Sequence, residues 1–377
     1  MKVLFLIPAS GGIGRYGVLL ARALAQAIPG EVLTIFDESL AGSPLFGPIA
    51  AQYGASTINT LGRLGRLQAL RKIGRQVRQF RPDIIHDCAG SAGPLAPWLW
   101  YVPGVRRKLV VTEHDPRPHS EMGGTISKRL ARRSLRKRPA LVVTHGSNSA
   151  RELKLAGGGT IPVTVVPHGE MSIYGKLGDV NVARDPRTVL FFGAMRPNKG
   201  VDWLIPIAER VRKSVPEARF LVAGSTRLSR ELSRTGWPVR LEQTLARMRS
   251  HPAFQLLEGY VPDSEVGNLF RRSAVTLLPY RDATASGVGM IAMALGSCVV
   301  ATRVGNLEEV FQDGTTALFA PAEPDAIADR VIELLQLPKQ AELLAQRARE
   351  VAQDRFSWPR IARRTVAAYE RLLSSDP

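Results

Sequence analysis

Runs of consecutive apolar residues recur along the chain and alternate with segments of helical periodicity. A first series occupies residues 3–7, 32–36, 83–86, 109–114, 140–145 and 163–169, and a second occupies 189–193, 219–224, 254–260, 275–279, 298–302 and 316–320. Uninterrupted apolar strands spaced by helices are typical of parallel sheets that are covered on both faces. The pattern therefore predicts an α/β protein with two doubly wound, Rossmann-like domains.

The stretch 170–187 separates the two series. It lacks periodicity and contains Gly175, Gly178 and the pair Asp185-Pro186, so it is predicted to be a linker between domains at 1–169 and 188–355. A length of 377 residues suits two domains. Ligands of such folds bind at the carboxyl ends of the strands, and we expect the site in a cleft between the two sheets.

The segment FFGAMRPNKG at 191–200 carries the first chemical signal. It places Arg196 and Lys199 after a strand and a glycine turn, at the start of an amphipathic helix. Free backbone N–H groups at a helix start, flanked by two cations, favour a diphosphate ligand. The alternative interpretation is a surface turn with solvated basic side chains.

Cysteine content and hydropathy narrow the class of protein. Cys88 and Cys298 lie far apart, so we expect neither a disulfide framework nor a zinc site. The N-terminal apolar run is too short for a signal peptide, and no run reaches the ~18–20 apolar residues of a membrane span. These features predict a cytoplasmic protein.

Positive charge is concentrated in the first half of the chain. The net charge is +18, and residues 1–180 hold 24 Lys and Arg against 11 Asp and Glu. This imbalance indicates an anionic partner, for which a membrane surface, a phosphorylated acceptor and nucleic acid are the candidates. Aromatic residues make up only 6% of the chain and form no stacking motif, which argues against nucleic acid.

Gly12, Gly14 and Gly17 form a G-x-G-x-x-G pattern after the first apolar run, with Asp37 about twenty residues further on. The first of these glycines lies five residues beyond Ile7, whereas a dinucleotide-binding turn needs glycine almost at the strand end. We therefore favour a glycine-rich loop that lets a sugar or diphosphate approach the backbone. An NAD site, or glycines needed only for packing, are the alternatives.

The order and spacing of the motifs resemble a known family. The motifs are GGIGRY (11–16), VVTEHD (110–115), VVPHG (165–169), FFGAMRPNKGVDWLI (191–205), LVAGS (221–225), EGYVPDSEV (258–266), LLPYRDATASGVGMIAMALGSCVVATRVGN (277–306) and FSWPRIARRTVAAYERLL (356–373). Together they resemble the retaining glycosyltransferases of family four, which have the GT-B fold of two Rossmann-like domains. The resemblance covers nearly the whole chain and implies that the helix at 356–377 packs back on the first domain.

The resemblance implies transfer of a hexose from a UDP- or GDP-linked sugar to an acceptor hydroxyl, with retention of configuration and with neither a metal ion nor a cofactor. It implies synthesis of a polysaccharide, a glycolipid or a lipid-linked oligosaccharide. Arg196 and Lys199 would hold the diphosphate and neutralise the leaving phosphate. His114 would contact the donor sugar near the reacting carbon and orient it; the alternative is a strand-end histidine bonded to backbone. For His86, His145 and His168 we favour structural roles.

The remaining donor contacts implied by the resemblance lie at other strand and helix ends. Residues Ser286 to Val288 would present N–H groups to the donor phosphates at a second helix start. Gly224 and Tyr260 follow strands that usually surround the base and ribose, although packing alone would also explain the glycine. The donor-binding set is Gly12, Gly14, Arg196, Lys199, Gly224, Ser225, Tyr260, Ser286, Gly287 and Val288.

Two positions depart from the family pattern. Ala283 and Ile291 replace a pair of glutamates, one expected for the sugar hydroxyls and one for the ribose. The identity of the donor is therefore open. A non-catalytic nucleotide-sugar-binding or scaffolding protein on the same fold is the alternative function.

Two basic clusters on the first domain are expected to meet the acceptor. They comprise Arg63, Arg66, Arg71, Lys72, Arg75 and Arg78, and Lys128, Arg129, Arg132, Arg133, Arg136, Lys137 and Arg138. A basic helix with an apolar stripe is typical of binding to anionic lipid, which predicts peripheral attachment to a membrane and a glycan or lipid-linked acceptor. A solvated arginine-rich face is the alternative. Trp98, Trp100 and Tyr101 would add an interfacial anchor or form a buried helix face.

Overall fold

The computed structural model describes residues 1–8, 11–28, 30–40, 56–116, 139–156, 162–228 and 232–374. The chain divides into two compact units. The first is built from residues within 1–169 together with the segment that begins at Phe356, and the second from residues 170–355.

The first unit has a parallel sheet of seven strands in the order β3-β2-β1-β4-β5-β6-β7. The central strand β1 is buried along its whole length, and Leu4 pairs with Leu33 on one side and with Ile85 on the other. The strands are β1 (Val3–Ile7), β2 (Val32–Asp37), β3 (Ser56–Ile58), β4 (Ile84–Asp87), β5 (Leu109–Thr112), β6 (Leu141–Thr144) and β7 (Val163–Val165).

Helices cover this sheet. They are α1 (Gly11–Ala27), α2 (Gly62–Phe80), α3 (Ser147–Ala156) and, from the end of the chain, α12 (Trp358–Ser374), with 3₁₀ turns at Glu38–Leu40, Gly90–Ala92, Leu99–Tyr101 and Arg106–Lys108. Helix α12 packs on α1. It buries Tyr369, whose hydroxyl shares a 2.5 Å hydrogen bond with Nδ1 of His86 on β4.

The second unit repeats the architecture with six parallel strands in the order β10-β9-β8-β11-β12-β13. They are β8 (Asp185–Phe192), β9 (Arg219–Gly224), β10 (Phe254–Glu258), β11 (Ser273–Leu278), β12 (Cys298–Thr302) and β13 (Leu318–Ala320). The helices are α4 (Tyr174–Leu177), α5 (Leu204–Ser214), α6 (Trp237–Ser250), α7 (Asp263–Arg272), α8 (Gly287–Leu295), α9 (Leu307–Val310), α10 (Pro324–Gln336) and α11 (Pro338–Arg355), with 3₁₀ turns at Pro197–Lys199, Val201–Trp203 and Leu232–Arg234.

These two doubly wound parallel sheets confirm the predicted fold class. In each sheet the strand order reverses beside the first strand, between β1 and β4 and between β8 and β11. Loops leave the carboxyl ends of neighbouring strands in opposite directions at such a point, which opens a crevice for ligands.

The stretch 170–187, which the sequence predicts to be a linker, is ordered within the second unit. It contains α4, which packs on α7, and the first residues of β8. The guanidinium of Arg271 donates hydrogen bonds to the carbonyl oxygens of Gly175, at 2.5 Å, and of Asp179, at 2.9 Å. These long-range bonds supply the order that the local sequence pattern does not indicate.

Candidate functional site

The turn that follows β8 carries Arg196 and Lys199 and is shaped by Gly200. Residues Pro197–Lys199 form a single 3₁₀ turn, and Gly200 ends it with a φ of +68°. A Cβ atom on Gly200 would lie 2.0 Å from the carbonyl oxygen of Pro279, at the end of β11. Glycine is therefore required here, because it alone accepts this φ without strain and lets the turn lie against the neighbouring strand end.

Arg281 and Asp202 fix the turn in place. The backbone N–H of Arg281 donates to the carbonyl oxygen of Asn198 at 2.9 Å, and its guanidinium donates to that of Pro197 at 2.8 Å. The same guanidinium donates to both carboxylate oxygens of Asp202 at 2.7 and 2.8 Å, which forms a fork of two parallel hydrogen bonds. It also lies 4.1 Å from the ring centroid of Trp203. The sequence interpretation missed this fork, although Arg281 stands only three residues beyond β11, where site residues are expected.

The two predicted diphosphate ligands differ in their surroundings. Both side chains are half-buried. Within the part of the chain that the structure describes, the guanidinium of Arg196 makes no ion pair. The ammonium of Lys199 lies 3.7 Å from the ring centroid of Tyr280, and the Tyr280 hydroxyl lies 3.3 Å from Oγ of Ser286. The side chain of Tyr280 therefore lies between the ammonium of Lys199 and the start of α8.

Ser286 caps α8. Its Oγ accepts a hydrogen bond from the N–H of Gly289 at 3.1 Å. The N–H groups of Gly287 and Val288 belong to the first turn of the helix, where no intrahelical acceptor exists. The structure thus brings Arg196, Lys199 and the start of α8 to one edge of the second sheet, at the point where the strand order reverses.

At Gly224 and Ser225 the end of β9 packs closely against the end of β8. Gly224 has a φ of +149°, and a Cβ atom there would lie 1.8 Å from the carbonyl oxygen of Gly193. The carbonyl oxygen of Ser225 accepts a hydrogen bond from Met195 at 2.9 Å. Close backbone packing is thus sufficient to explain Gly224. Tyr260, after β10, is 72% exposed, and its hydroxyl lies 3.4 Å from a carboxylate oxygen of Asp263.

The two positions at which the sequence resemblance implies glutamates are buried. Ala283 is 3% exposed and Ile291 is 6% exposed. A Cβ atom on Gly305 would lie only 1.5 Å from the carbonyl oxygen of Ala283, so this wall is closely packed. No group of three potential metal ligands occurs among the described residues.

The carboxyl ends of β5, β6 and β7 in the first unit bring together three histidines around a buried tyrosine. The ring centroid of Tyr16, on α1, lies 5.2 Å from that of His114, 4.9 Å from that of His145 and 5.0 Å from that of His168. Burial raises the pKa of Tyr16 well above its usual value. It lowers the pKa of His114 and His145, and that of His168 to about 4.

Both ring nitrogens of His114 face polar atoms of the protein. Nε2 lies 2.9 Å from the carbonyl oxygen of Cys88, and Nδ1 lies 3.0 Å from Nε2 of His145. Nδ1 of His145 in turn lies 3.0 Å from the carbonyl oxygen of Val166. The contact with Cys88 agrees with the alternative of a strand-end histidine bonded to backbone. The contact with His145 makes the two rings a hydrogen-bonded pair, which the sequence interpretation missed.

Glu113 ties the loop after β4 to the turn after β5. Its buried carboxylate accepts hydrogen bonds from the backbone N–H and hydroxyl of Ser91, both at 2.8 Å, and from the N–H of Asp115 at 3.2 Å. Burial raises the pKa of Glu113 to about 7.

The prediction of a glycine-rich loop at residues 11–17 is wrong, because Gly12 and Gly14 lie in the first turns of α1. The apolar face of α1 packs on the sheet, and this burial outweighs the low helix propensity of glycine. A Cβ atom on Gly17 would lie 3.0 Å from Ile7 and 3.2 Å from Cys88, so packing explains this third glycine.

The outer surface of α2 combines basic and apolar side chains. Arg71, Arg75 and Arg78 line a pocket of about 640 Å³ whose other walls include Trp98 and Tyr101. Trp98 and Tyr101 are 52% and 66% exposed, and Leu64 and Leu67 on the same helix are 67% and 46% exposed.

Other parts of this basic surface differ from expectation. Trp100 lies in the core of the first unit, so the three aromatic residues form neither one anchor nor one buried face. The second basic cluster, 128–138, lies outside the described residues. Of the helices described, none combines the length and the apolar character needed to cross a membrane.

Known structures share this two-unit architecture. Sucrose-phosphate synthase from Thermosynechococcus elongatus aligns over 100% of both chains with a TM-score of 0.76 and 18% identity. Anabaena HepE in complex with UDP-glucose aligns over 98% of this chain and 100% of its own with a TM-score of 0.72 and 18% identity. The fold is therefore that of the GT-B glycosyltransferases.

Sequence comparison adds the family. Residues 10–170 match Glycosyltransferase Family 4, and residues 186–337 match Glycosyl transferases group 1. Since the two matches together take in most of the chain, the protein belongs to these glycosyltransferases.

Two curated relatives illustrate the range of the family. Glycogen synthase from Mycobacterium tuberculosis is 24% identical over 307 residues, which are 79% of this chain and 71% of that protein. The gpi3 subunit of phosphatidylinositol N-acetylglucosaminyltransferase from Schizosaccharomyces pombe is 24% identical over 214 residues. That match spans 57% of this chain but only 44% of the subunit.

Proposed function

We propose that the protein transfers a hexose from a nucleoside diphosphate sugar to an acceptor hydroxyl with retention of anomeric configuration. The observation that carries the proposal is the turn at 196–200, which bears two cations and holds Lys199 against Tyr280, whose hydroxyl lies 3.3 Å from the cap of α8. UDP is the favoured nucleotide, because HepE shares the fold and was crystallised with UDP-glucose. The acceptor is proposed to be a glycan or a lipid-linked saccharide.

In the proposed reaction the bond between the anomeric carbon and the diphosphate oxygen breaks as the acceptor oxygen bonds to that carbon. Arg196, Lys199 and the first N–H groups of α8 stabilise the charge that develops on the leaving diphosphate. An oxygen of the diphosphate takes the acceptor proton on the same face of the sugar. Because these groups are cations and backbone dipoles, the mechanism assigns charge neutralisation to them rather than to a metal ion.

Ligand-induced stabilisation tests donor binding. A thermal-shift panel of UDP, GDP, ADP and NAD should show stabilisation by UDP, and a ligand at 100 times its dissociation constant stabilises by ~2.7 kcal/mol. Arg196→Ala combined with Lys199→Ala should abolish this shift. Lys213→Ala, which removes an exposed cation at the far end of α5, is the control that should retain it. Stabilisation by NAD alone would contradict the proposal.

Product analysis tests the chemistry. NMR of the anomeric proton in the first-formed product should show the configuration of the donor. An inverted product would refute retention. Binding of UDP with neither transfer to an acceptor nor hydrolysis of the donor would instead support a nucleotide-sugar-binding or scaffolding role. This alternative is specific because Ala283 and Ile291 stand where the family resemblance implies glutamates.

We also propose that the first unit attaches peripherally to an anionic membrane through α2. Arg71, Arg75 and Arg78 project from one side of the helix, and each cation near an anionic surface contributes ~1 kcal/mol. Leu64 and Leu67 supply exposed apolar area, while Trp98 suits the boundary between lipid and water.

Liposome flotation tests this attachment. The protein should float with vesicles that contain anionic phospholipid, should stay in solution with purely zwitterionic vesicles, and should be released by salt. Arg71→Glu with Arg75→Glu should abolish flotation. The same change of charge at Lys339 and Arg347, which are exposed on α11, is the matched control. Equal loss in both double variants would show that net charge, and not the surface of α2, governs binding.

A further inference from the structure

The pair formed by His114 and His145 contains more contacts than two neutral rings can satisfy. Three contacts run in series, from the carbonyl oxygen of Cys88 through His114 and His145 to the carbonyl oxygen of Val166. A carbonyl oxygen only accepts, so each end needs an N–H, and the contact between the two rings needs one more. Three protons are required, whereas two neutral imidazoles carry two.

One contact must therefore lack its proton when the pair is neutral. Burial lowers the pKa of both rings, so the neutral pair is the form present near pH 7. The charged or titratable groups around the pair are Asp115, Glu113, His86, His168 and Tyr16. The location of the missing proton decides what His114 offers to a ligand.

Burial indicates where the proton is missing. His145 is only 6% exposed and is packed between the rings of Tyr16 and His168, so Nδ1 of His145 keeps its proton for the carbonyl oxygen of Val166. Nε2 of His145 is then an acceptor, and it requires a proton on Nδ1 of His114. The mismatch therefore falls on Nε2 of His114, which belongs to the less buried of the two rings.

We propose that His145 is a positioning residue that holds His114 as the Nδ1–H tautomer and thereby leaves Nε2 of His114 as an acceptor for a hydroxyl group of the substrate. The inference rests on the proposed glycosyl transfer and deepens it. A polyol substrate fits this chemistry, because each sugar hydroxyl is a hydrogen-bond donor. A third proton, added to Nε2 of His114, would let this nitrogen donate to the carbonyl oxygen of Cys88. Nε2 could then no longer accept a hydrogen bond from the substrate.

Nitrogen NMR of the ligand-free protein tests the tautomer without requiring activity. The chain has six histidines, so protein labelled with ¹⁵N-histidine gives few signals, which single substitutions assign. At pH 7.5, His114 should show a protonated Nδ1 and an unprotonated Nε2. In His145→Phe it should shift towards Nε2–H, the tautomer that histidine favours in water. In His145→Gln, whose side-chain oxygen can replace the acceptor, the Nδ1–H form should persist.

A matched variant and a kinetic readout complete the test. His168→Phe alters the same aromatic cluster, but Nδ1 of His168 faces the carbonyl oxygen of Gly169 and not His114, so this variant should leave the tautomer of His114 unchanged. His145→Phe should lower kcat/KM about tenfold, the value of one hydrogen bond, and His145→Gln should restore part of the loss.

The outcomes separate the two proposals. A wild-type His114 found as Nε2–H, or with both nitrogens protonated at pH 7.5, would overturn the positioning role. The expected tautomer together with unchanged kcat/KM in His145→Phe would also overturn it, even if the protein is an active glycosyltransferase. Failure of the Arg196 and Lys199 variants to alter UDP binding would count against the proposed function and would leave the NMR result standing.

Discussion

Gly224 occupies a position where no side chain fits. Its φ of +149° is strained for other residues, and a Cβ atom would lie 1.8 Å from the carbonyl oxygen of Gly193. Gly224→Ala should destabilise the second unit by about 3 kcal/mol or more, because the ends of β8 and β9 must separate. Denaturant unfolding measures this effect.

Gly236→Ala is the matched control for that measurement. Gly236 has a φ of −73°, and no atom lies within 4 Å of its Cβ position. Alanine should cost no more than about 1 kcal/mol there, because Gly236 is the N-cap of α6, a position where alanine is only somewhat less favourable than glycine. Similar losses in the two variants would contradict the packing explanation of Gly224.

Glu113 makes stability depend on pH. Burial raises its pKa in the folded protein to about 7, above the usual value for glutamate, so its contribution to stability is complete in acid and is lost as the pH rises towards and through 7. Glu113→Gln removes this dependence. Between pH 5 and 7 the variant should gain about 1.4 kcal/mol per pH unit relative to wild type.

Urea unfolding at several pH values checks the prediction for Glu113. Glu217→Gln, at an exposed position, should follow the wild-type profile. Parallel profiles for wild type and Glu113→Gln would mean that Glu113 is ionised in the folded protein across this range.

At the scale of elements, the turn at 196–200 depends on the fork between Arg281 and Asp202. Arg281→Lys keeps the charge but loses the planar pair of bonds at 2.7 and 2.8 Å. The turn should loosen, and the dissociation constant for UDP should rise by roughly fivefold to tenfold, or about 1–1.4 kcal/mol. Isothermal titration calorimetry measures the change.

Arg210→Lys supplies the comparison for Arg281→Lys. Arg210 forms an exposed ion pair with Asp329 on the same unit, and such pairs contribute little. UDP binding should be unchanged in this variant. A weaker complex in Arg210→Lys, or an unaltered one in Arg281→Lys, would remove the case for the fork as a support of the diphosphate turn.

Elements were easier to predict from the sequence than contacts between them. Uninterrupted apolar runs identify the core strands of both sheets, because burial on two faces leaves a local pattern. The turn at 196–200 is recognisable because a glycine and two cations directly follow such a run. The short strand β3 has no such run. The helical conformation of Gly12 and Gly14 is not predicted because a packed helix overrides glycine propensity, while their role in donor binding stays a prediction. The pairing of His114 with His145 arises only when β5 and β6 lie side by side.

At the scale of the whole molecule, α12 completes the unit that begins with β1. Tyr369 is fully buried, packs beneath His86 and bonds to it. Tyr369→Ala should therefore cost about 3–5 kcal/mol, as for other large buried aromatic side chains. Hydrogen exchange should show faster opening in residues of the first unit and unchanged protection in residues 185–355.

Leu373→Ala is the control for Tyr369→Ala, because Leu373 lies on the same helix and is 41% exposed. Its exchange pattern should match that of the wild type. If Tyr369→Ala weakened protection equally in both units, the two would unfold as one cooperative body rather than separately.

The return of α12 to the first unit also bears on how the protein is made. Synthesis runs from the amino to the carboxyl end, so the first unit lacks α12 until residues 358–374 have emerged from the ribosome. Residues 170–355, which form the second unit, emerge before that helix. The usual order, in which N-terminal domains finish folding first, is therefore reversed. A nascent chain arrested shortly before α12 emerges would carry a finished second unit and an incomplete first one, in which the surface of α1 that packs on α12 is exposed and is a natural target for chaperones.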